Sequence, residues 1–154
     1  MHRNSLAGLI EYNAAGLCPT SEPTECAQSF ANKCSAIVGS ELPRSIESAK
    51  TFNNENIVLS DSIFNEPGLP VSNWQAIKLP PKIWAVVFRI LWLLGYSRGS
   101  ESFKEAKLRA TEAVEKLTEI ALEYESVLFV GHGVYNRILA NELRRSGYGR
   151  CYVL

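Results

Sequence analysis

The sequence predicts an α/β domain built on a parallel sheet, and three stretches carry that prediction. In 126–143 a short apolar run, Val127 to Val130, is broken by Gly131-His132-Gly133. Apolar positions at helical spacing follow, at Val134, Ile138, Leu139 and Leu143. A second strand-turn-helix unit runs through Ser35-Ala-Ile-Val38, the turn Gly39 to Pro43 and the helical stretch Arg44 to Phe52. The third is a long amphipathic segment from Ser102 that leads through Tyr124-Glu125 straight into the Val127 run. Unbroken apolar strands joined by helices are what a parallel sheet needs, because helices cover both of its faces.

Taken in order, the chain opens with a helical stretch to Ala14 or Ala15, capped by Asn4 or Ser5, with Leu6, Leu9, Ile10 and Asn13 on one side and Gly16 as its stop. Residues 17 to 29, with Pro19, Pro23 and several polar residues, read as a polar loop or a loosely helical connection. After the Ser35–Val38 strand, Pro43 stands in the first turn of the next helix, where its missing N–H costs nothing. Asn53 to Asn56 is a turn and Ile57-Val-Leu59 a short edge strand, followed by a loop from Ser60 to Gly68. Pro80-Pro81 and Gly95 bound the most hydrophobic segment, Ile83 to Leu94, as one helix. Ser102 and Glu105 have the spacing of a capping box for the long helix. Its apolar stripe is Phe103, Ala106, Ala110, Val114, Leu117 and Ala121, and its charges form a solvated face. Gly147 ends the last helix.

Composition narrows the class. A chain of 154 residues is one domain with room for one core. Sixteen basic and sixteen acidic residues cancel, which removes the electrostatic basis for nucleic acid as a partner. Cys18, Cys26, Cys34 and Cys151 form no C-x-x-C pair, and with only two histidines a metal site is not expected. Such cysteine usage fits reduced thiols in a cytoplasmic protein, with Cys34 as a small core residue. Residues 83–94 are too few to cross a bilayer and Arg89 interrupts them. An interfacial helix is the competing reading, but the charged face of such helices is nearly missing, and a core or lid helix is preferred.

Three residues stand out for chemistry. His132 lies at the carboxyl end of a strand and the start of a helix, in the crevice where α/β sheets bind ligands and where helix N–H groups suit an anion. Arg44 occupies the first turn of another helix that follows a strand. Glu66, among Phe64, Pro67 and Leu69, is a carboxyl that desolvation could tune as a general acid. Each also has a plain reading: a hydrogen-bonded turn histidine, a solvated arginine and an exposed loop carboxylate. For Arg44 by position and Glu66 by composition, the plain reading is the favoured one.

The order of motifs resembles the histidine phosphatase superfamily, also called phosphoglycerate mutase-like. Gly39-Ser-Glu-Leu-Pro-Arg-Ser-Ile-Glu-Ser-Ala49 is similar to that family's S-x-L-x-R-[AS]-x-x-[ST]-A segment. Glu66 follows near the place of its loop acid, Glu101-Ser102 opens the long helix as its E-S segment does, and Val127 to Asn136 is similar to its V-x-x-V-[GS]-H-G strand and turn. The resemblance runs from about Ser35 to Gly147. It implies a three-layer α/β/α fold with a mostly parallel sheet, and transfer of a phosphoryl group from a small phosphorylated substrate to a histidine and then to water or another acceptor. By position it implies Arg44 as a phosphate ligand, His132 as a donor to the same oxygens, and Glu66 as the acid that protonates the leaving oxygen and then activates water. It implies no metal and no cofactor.

One family motif has no counterpart here. Arg-His-Gly, which carries the nucleophilic histidine on the family's first strand, occurs nowhere in the sequence, and His2-Arg3 reverses the order without the glycine. The expectation is therefore a single domain over 1–154 that is incomplete at its N-terminus and lacks the first, interior strand. Two readings follow: a phosphatase whose nucleophile is supplied by an upstream segment, or a degenerate member that binds phosphate or a partner without turnover. The motifs do not separate phosphatase from mutase and say nothing of the oligomeric state.

Overall fold

The computed structural model describes residues 17, 22–70 and 80–148. The expected helix over residues 4 to 15 lies outside them. The described elements are α1 (Glu25–Ala31), β1 (Ala36–Ser40), α2 (Pro43–Asn53), β2 (Ile57–Asp61), a 3-10 turn (Ser62–Phe64), α3 (Pro81–Leu93), α4 (Phe103–Tyr124), β3 (Val127–Val130) and α5 (Gly133–Arg145). The strands form a parallel sheet in the order β2-β1-β3, with Ile37 opposite Leu128 and Val38 opposite Leu59 and Phe129. β1 is central and wholly buried. Among the described residues, β3 is paired along one edge only.

Strand alternation divides the core in two. Val38 faces the larger cluster, built from Phe64, Trp92, the small residues Ala106, Ala110 and Ala113 of α4, and Tyr135, Ile138 and Leu139 of α5. Ile37 and Leu128 face the opposite way, against Ala31 of α1 and Ala49 of α2. This is the three-layer arrangement, with α3, α4 and α5 on one face and α1 and α2 on the other. The alanine stripe of α4 explains why α5 approaches it closely, since small side chains let two helices meet with little between them.

Local signals account for most boundaries. Pro43 and Pro81 sit at the first helical positions. Ser102 and Glu105 form the full capping box, Ser102 N–H donating to Glu105 Oε2 at 2.7 Å and Glu105 N–H to Ser102 Oγ at 3.2 Å. Gly147, at φ 88°, ends α5 in a conformation that favours glycine.

The structure refines or corrects five expectations. Of the two readings for 17 to 29, the helical one holds from Glu25: α1 is capped by Thr24, whose Oγ1 accepts from Ala27 N–H at 3.2 Å. β1 runs on to Ser40, so Gly39 and Ser40 are strand and not turn; a Cβ at Gly39 would come 2.9 Å from the Val130 carbonyl oxygen, so only glycine lets β3 lie this close. The loop after Leu59 begins with strand residues and the 3-10 turn, which Asp61 caps by accepting from Ile63 N–H. The helix expected as core or lid, α3, meets the core along one face. Phe88 and Trp92 are buried, whereas Ile83, Val86, Ile90, Leu93 and Leu94 are exposed. No described helix is long and apolar enough to cross a membrane. Cys34 is half-buried beside the smaller cluster rather than in its centre, and burial pushes its thiol pKa up.

Candidate functional site

The carboxyl ends of β1 and β3 lie side by side, and the turns that leave them place Arg44 and His132 at the same end of the sheet. Arg44 is the second residue of α2 and His132 is the N-cap of α5. Both are half-buried, so Arg44 is not the solvated surface residue that its position alone suggested. Burial first, and the charge of Arg44 second, hold the His132 pKa below its usual 6.5, which places the two side chains in one electrostatic neighbourhood and keeps the ring neutral near pH 7. An anion at this end of the sheet would gain from the Arg44 charge and from the N–H of the neutral ring.

A buried network ties the two turns to each other. Ser45 Oγ donates to the Val130 carbonyl at 2.6 Å and accepts from Ser40 N–H at 3.1 Å. Ser40 Oγ lies 2.8 Å from His132 Nε2 and accepts from Leu42 N–H at 3.4 Å. β1, α2 and the start of α5 are thereby locked in register around the site.

Glu66 is brought in from the loop after β2. Its side chain is 18% exposed, so the exposed loop carboxylate favoured by composition is overturned. The reason is tertiary: α3 and α5 both pack over the loop. Oε2 accepts from Tyr135 N–H at 3.1 Å, at the first turn of α5, and Oε1 meets Arg89 Nη2 of α3 at 3.1 Å. Desolvation dominates and raises its pKa above 4.5, opposed by the Tyr135 and Val134 N–H groups and by the charges of Arg89 and Arg109. A carboxyl that is costly to ionise yet keeps donors around it is suited to giving and taking a proton.

Two arginines without an assigned role in the motifs hold this loop. Arg89 Nη1 donates to the Pro67 carbonyl at 3.3 Å while its guanidinium lies over the Trp92 ring, 5.1 Å from the centroid. Arg109 makes a two-pronged pair with Glu101, Nε to Oε1 at 2.8 Å and Nη2 to Oε2 at 2.7 Å. Its Nη1 donates to the carbonyls of Ile63 at 2.6 Å and Asn65 at 3.0 Å, and the guanidinium stacks 4.2 Å from the centroid of the Tyr135 ring. One side chain thus connects α4, the turn leading to Glu66 and the helix whose N–H binds Glu66. Tyr135 is fully buried beneath it, and burial pushes its pKa up to about 12, so the phenol stays neutral.

Ser40 stood inside the S-x-L-x-R segment, which was its only signal in the sequence. Arg89 was visible as the lone charge in an apolar run, and Arg109 had no signal beyond its place on a helix face. Among the described residues, no cluster of three or more histidine, cysteine or acidic side chains is arranged to hold a metal ion.

No protein-family model matches the sequence, and no curated protein matches it. Solved structures do. The chain is similar to a mycobacterial glucosyl-3-phosphoglycerate phosphatase solved with inorganic phosphate, at 20% identity and TM-score 0.54 over 86% of this chain and 74% of that one. It is also similar to Bacillus stearothermophilus YhfR, at 20% identity and TM-score 0.52 over 88% of this chain and 74% of that one. A mycobacterial hydrolase matches at 20% identity and TM-score 0.52, over 88% and 72%. The chain has the phosphoglycerate mutase-like fold, which is the fold the motif order implied.

Proposed function

We propose that the chain carries the phosphate-binding half of a histidine phosphatase site and acts on a small phosphomonoester. The observation that supports this most is that the two strand-to-helix corners bearing Arg44 and His132 are tied together through Ser40 and Ser45, with Glu66 fixed at the start of the same helix that His132 caps. Arg44 grips phosphoryl oxygens with its planar fork of donors. His132, neutral, donates to the same oxygens and strengthens that contact as charge develops in the transition state. Glu66 protonates the leaving oxygen as the P–O bond breaks and the P–N bond to the nucleophilic histidine forms. It then takes a proton from the water that breaks the P–N bond. Turnover on this reading requires a nucleophilic histidine from a segment outside this sequence, since Arg-His-Gly is absent from it. The edge of β3 away from β1 is where a strand bearing it would pair.

That absence also favours a second reading, in which the chain binds phosphate or a partner and turns nothing over. Two measurements separate these. Inorganic phosphate or orthovanadate, titrated calorimetrically, binds the chain, and Arg44→Ala and His132→Ala each weaken binding about tenfold, the loss of one charge-assisted contact. Hydrolysis of p-nitrophenyl phosphate by the chain alone stays at background. Turnover that survives rigorous purification and vanishes in His132→Ala refutes the argument about the nucleophile; oxyanion binding unchanged in Arg44→Ala refutes the site.

A further inference from the structure

We infer that Ser40 is a positioning residue for His132: its hydroxyl donates to Nε2 and holds the neutral ring with its proton on Nδ1, so that Nδ1–H is the donor the ring offers to an anion. The inference rests on counting protons through the buried network. Ser45 has one hydroxyl proton, and the 2.6 Å contact to the Val130 carbonyl uses it. Ser45 Oγ can therefore only accept from Ser40, and it does so from the Ser40 backbone N–H. Ser40 Oγ in turn accepts from Leu42 N–H. Its own hydroxyl proton still needs an acceptor, and Ser40 is fully buried, so water cannot serve.

Among the described residues, the acceptor within reach of that proton is His132 Nε2, at 2.8 Å. The reverse arrangement, Nε2–H donating to Ser40 Oγ, leaves a buried hydroxyl proton with no acceptor, the costlier state. A neutral imidazole has one N–H, so a ring that accepts at Nε2 carries its proton on Nδ1. The depressed His132 pKa agrees with a neutral ring. The Ser40 contact is the ring's one hydrogen bond among the described residues, which leaves Nδ1–H to the ligand. Free histidine prefers the other tautomer, so the assignment is a property of this fold and of one serine.

The use of that proton rests on the proposed phosphate site, whereas the tautomer belongs to the unliganded chain. The test is the long-range proton–nitrogen spectrum of the uniformly labelled full chain above pH 7, with His2→Gln used to assign the His132 ring. The expected wild-type spectrum has Nδ1 in the protonated range and Nε2 in the acceptor range. In Ser40→Ala the ring shifts toward Nε2–H. A wild-type ring protonated on Nε2, or a Ser40→Ala ring unchanged in tautomer, overturns the inference. Should Ser40→Ala not fold, the wild-type spectrum alone decides. A chain with the Nδ1–H ring that binds no inorganic phosphate overturns the proposed function and leaves the role of Ser40 standing.

Discussion

Replacing Arg109 by methionine keeps the aliphatic stem and removes every polar contact of the guanidinium. The structure sets the size of the loss. Two charge-assisted hydrogen bonds to Glu101, two to the Ile63 and Asn65 carbonyls and the stack on Tyr135 disappear together. Removing one partner of a fully buried pair costs about 3–5 kcal/mol, because the other charge is stranded. Here the two side chains keep 22% and 24% of their exposure, so water recovers part of that for Glu101, and about 2–3 kcal/mol remains. For a chain of 154 residues each kcal/mol corresponds to about 2–4 °C, which gives a melting temperature lower by about 4–12 °C. Urea unfolding at pH 7 and calorimetry read both quantities. The double variant Arg109→Met, Glu101→Gln recovers part of the loss, since no carboxylate is then stranded. A change within about 0.5 kcal/mol, the range of ordinary surface substitutions, would show that Arg109 does not hold the loop that leads to Glu66.

Three further outcomes are expected. Gly39→Ala costs about 1–3 kcal/mol, because its Cβ would meet Ser45 Oγ at 2.8 Å and the Val130 carbonyl at 2.9 Å. The control Gly133→Ala, with no heavy atom within 4 Å, leaves chemical stability unchanged or slightly raised; equal losses at the two positions contradict the packing argument. His132, with its pKa held below 6.5, takes up its proton less readily folded than unfolded, so its contribution to stability is lost as pH falls below 6.5. Denaturant melts across that window are flatter in His132→Asn, and an unchanged slope argues against a buried ring beside Arg44. Glu66 acts in the opposite sense. Its raised pKa means that its contribution is full below 4.5 and is lost as pH rises through the native value. The stability of wild type minus that of Glu66→Gln therefore declines with rising pH, and a difference that grows with pH rules out desolvation as the dominant influence.

Elements with local signals are legible in the sequence alone. β3, the start of α4 and the end of α5 follow from an apolar run, a Ser102–Glu105 box and Gly147, because strand period, capping and left-handed stops involve residues a few positions apart. The positions of Arg44 and His132 at strand-to-helix corners were legible for the same reason. What those side chains meet was not. Ser40 and His132 are 92 residues apart in the chain, Glu66 and Tyr135 are 69 apart, and Arg109 reaches back 46 residues to Ile63. Composition favoured an exposed Glu66, and only the packing of α3 and α5 over its loop buries it and lifts its pKa. Likewise the apolar run of α3 has the same period whichever face the core accepts; Phe88 and Trp92 are inside because α4 and the 3-10 turn stand on that side. Burial, and with it the ionisation and tautomer of a side chain, depends on which distant segments cover it, and that is decided when the layers close.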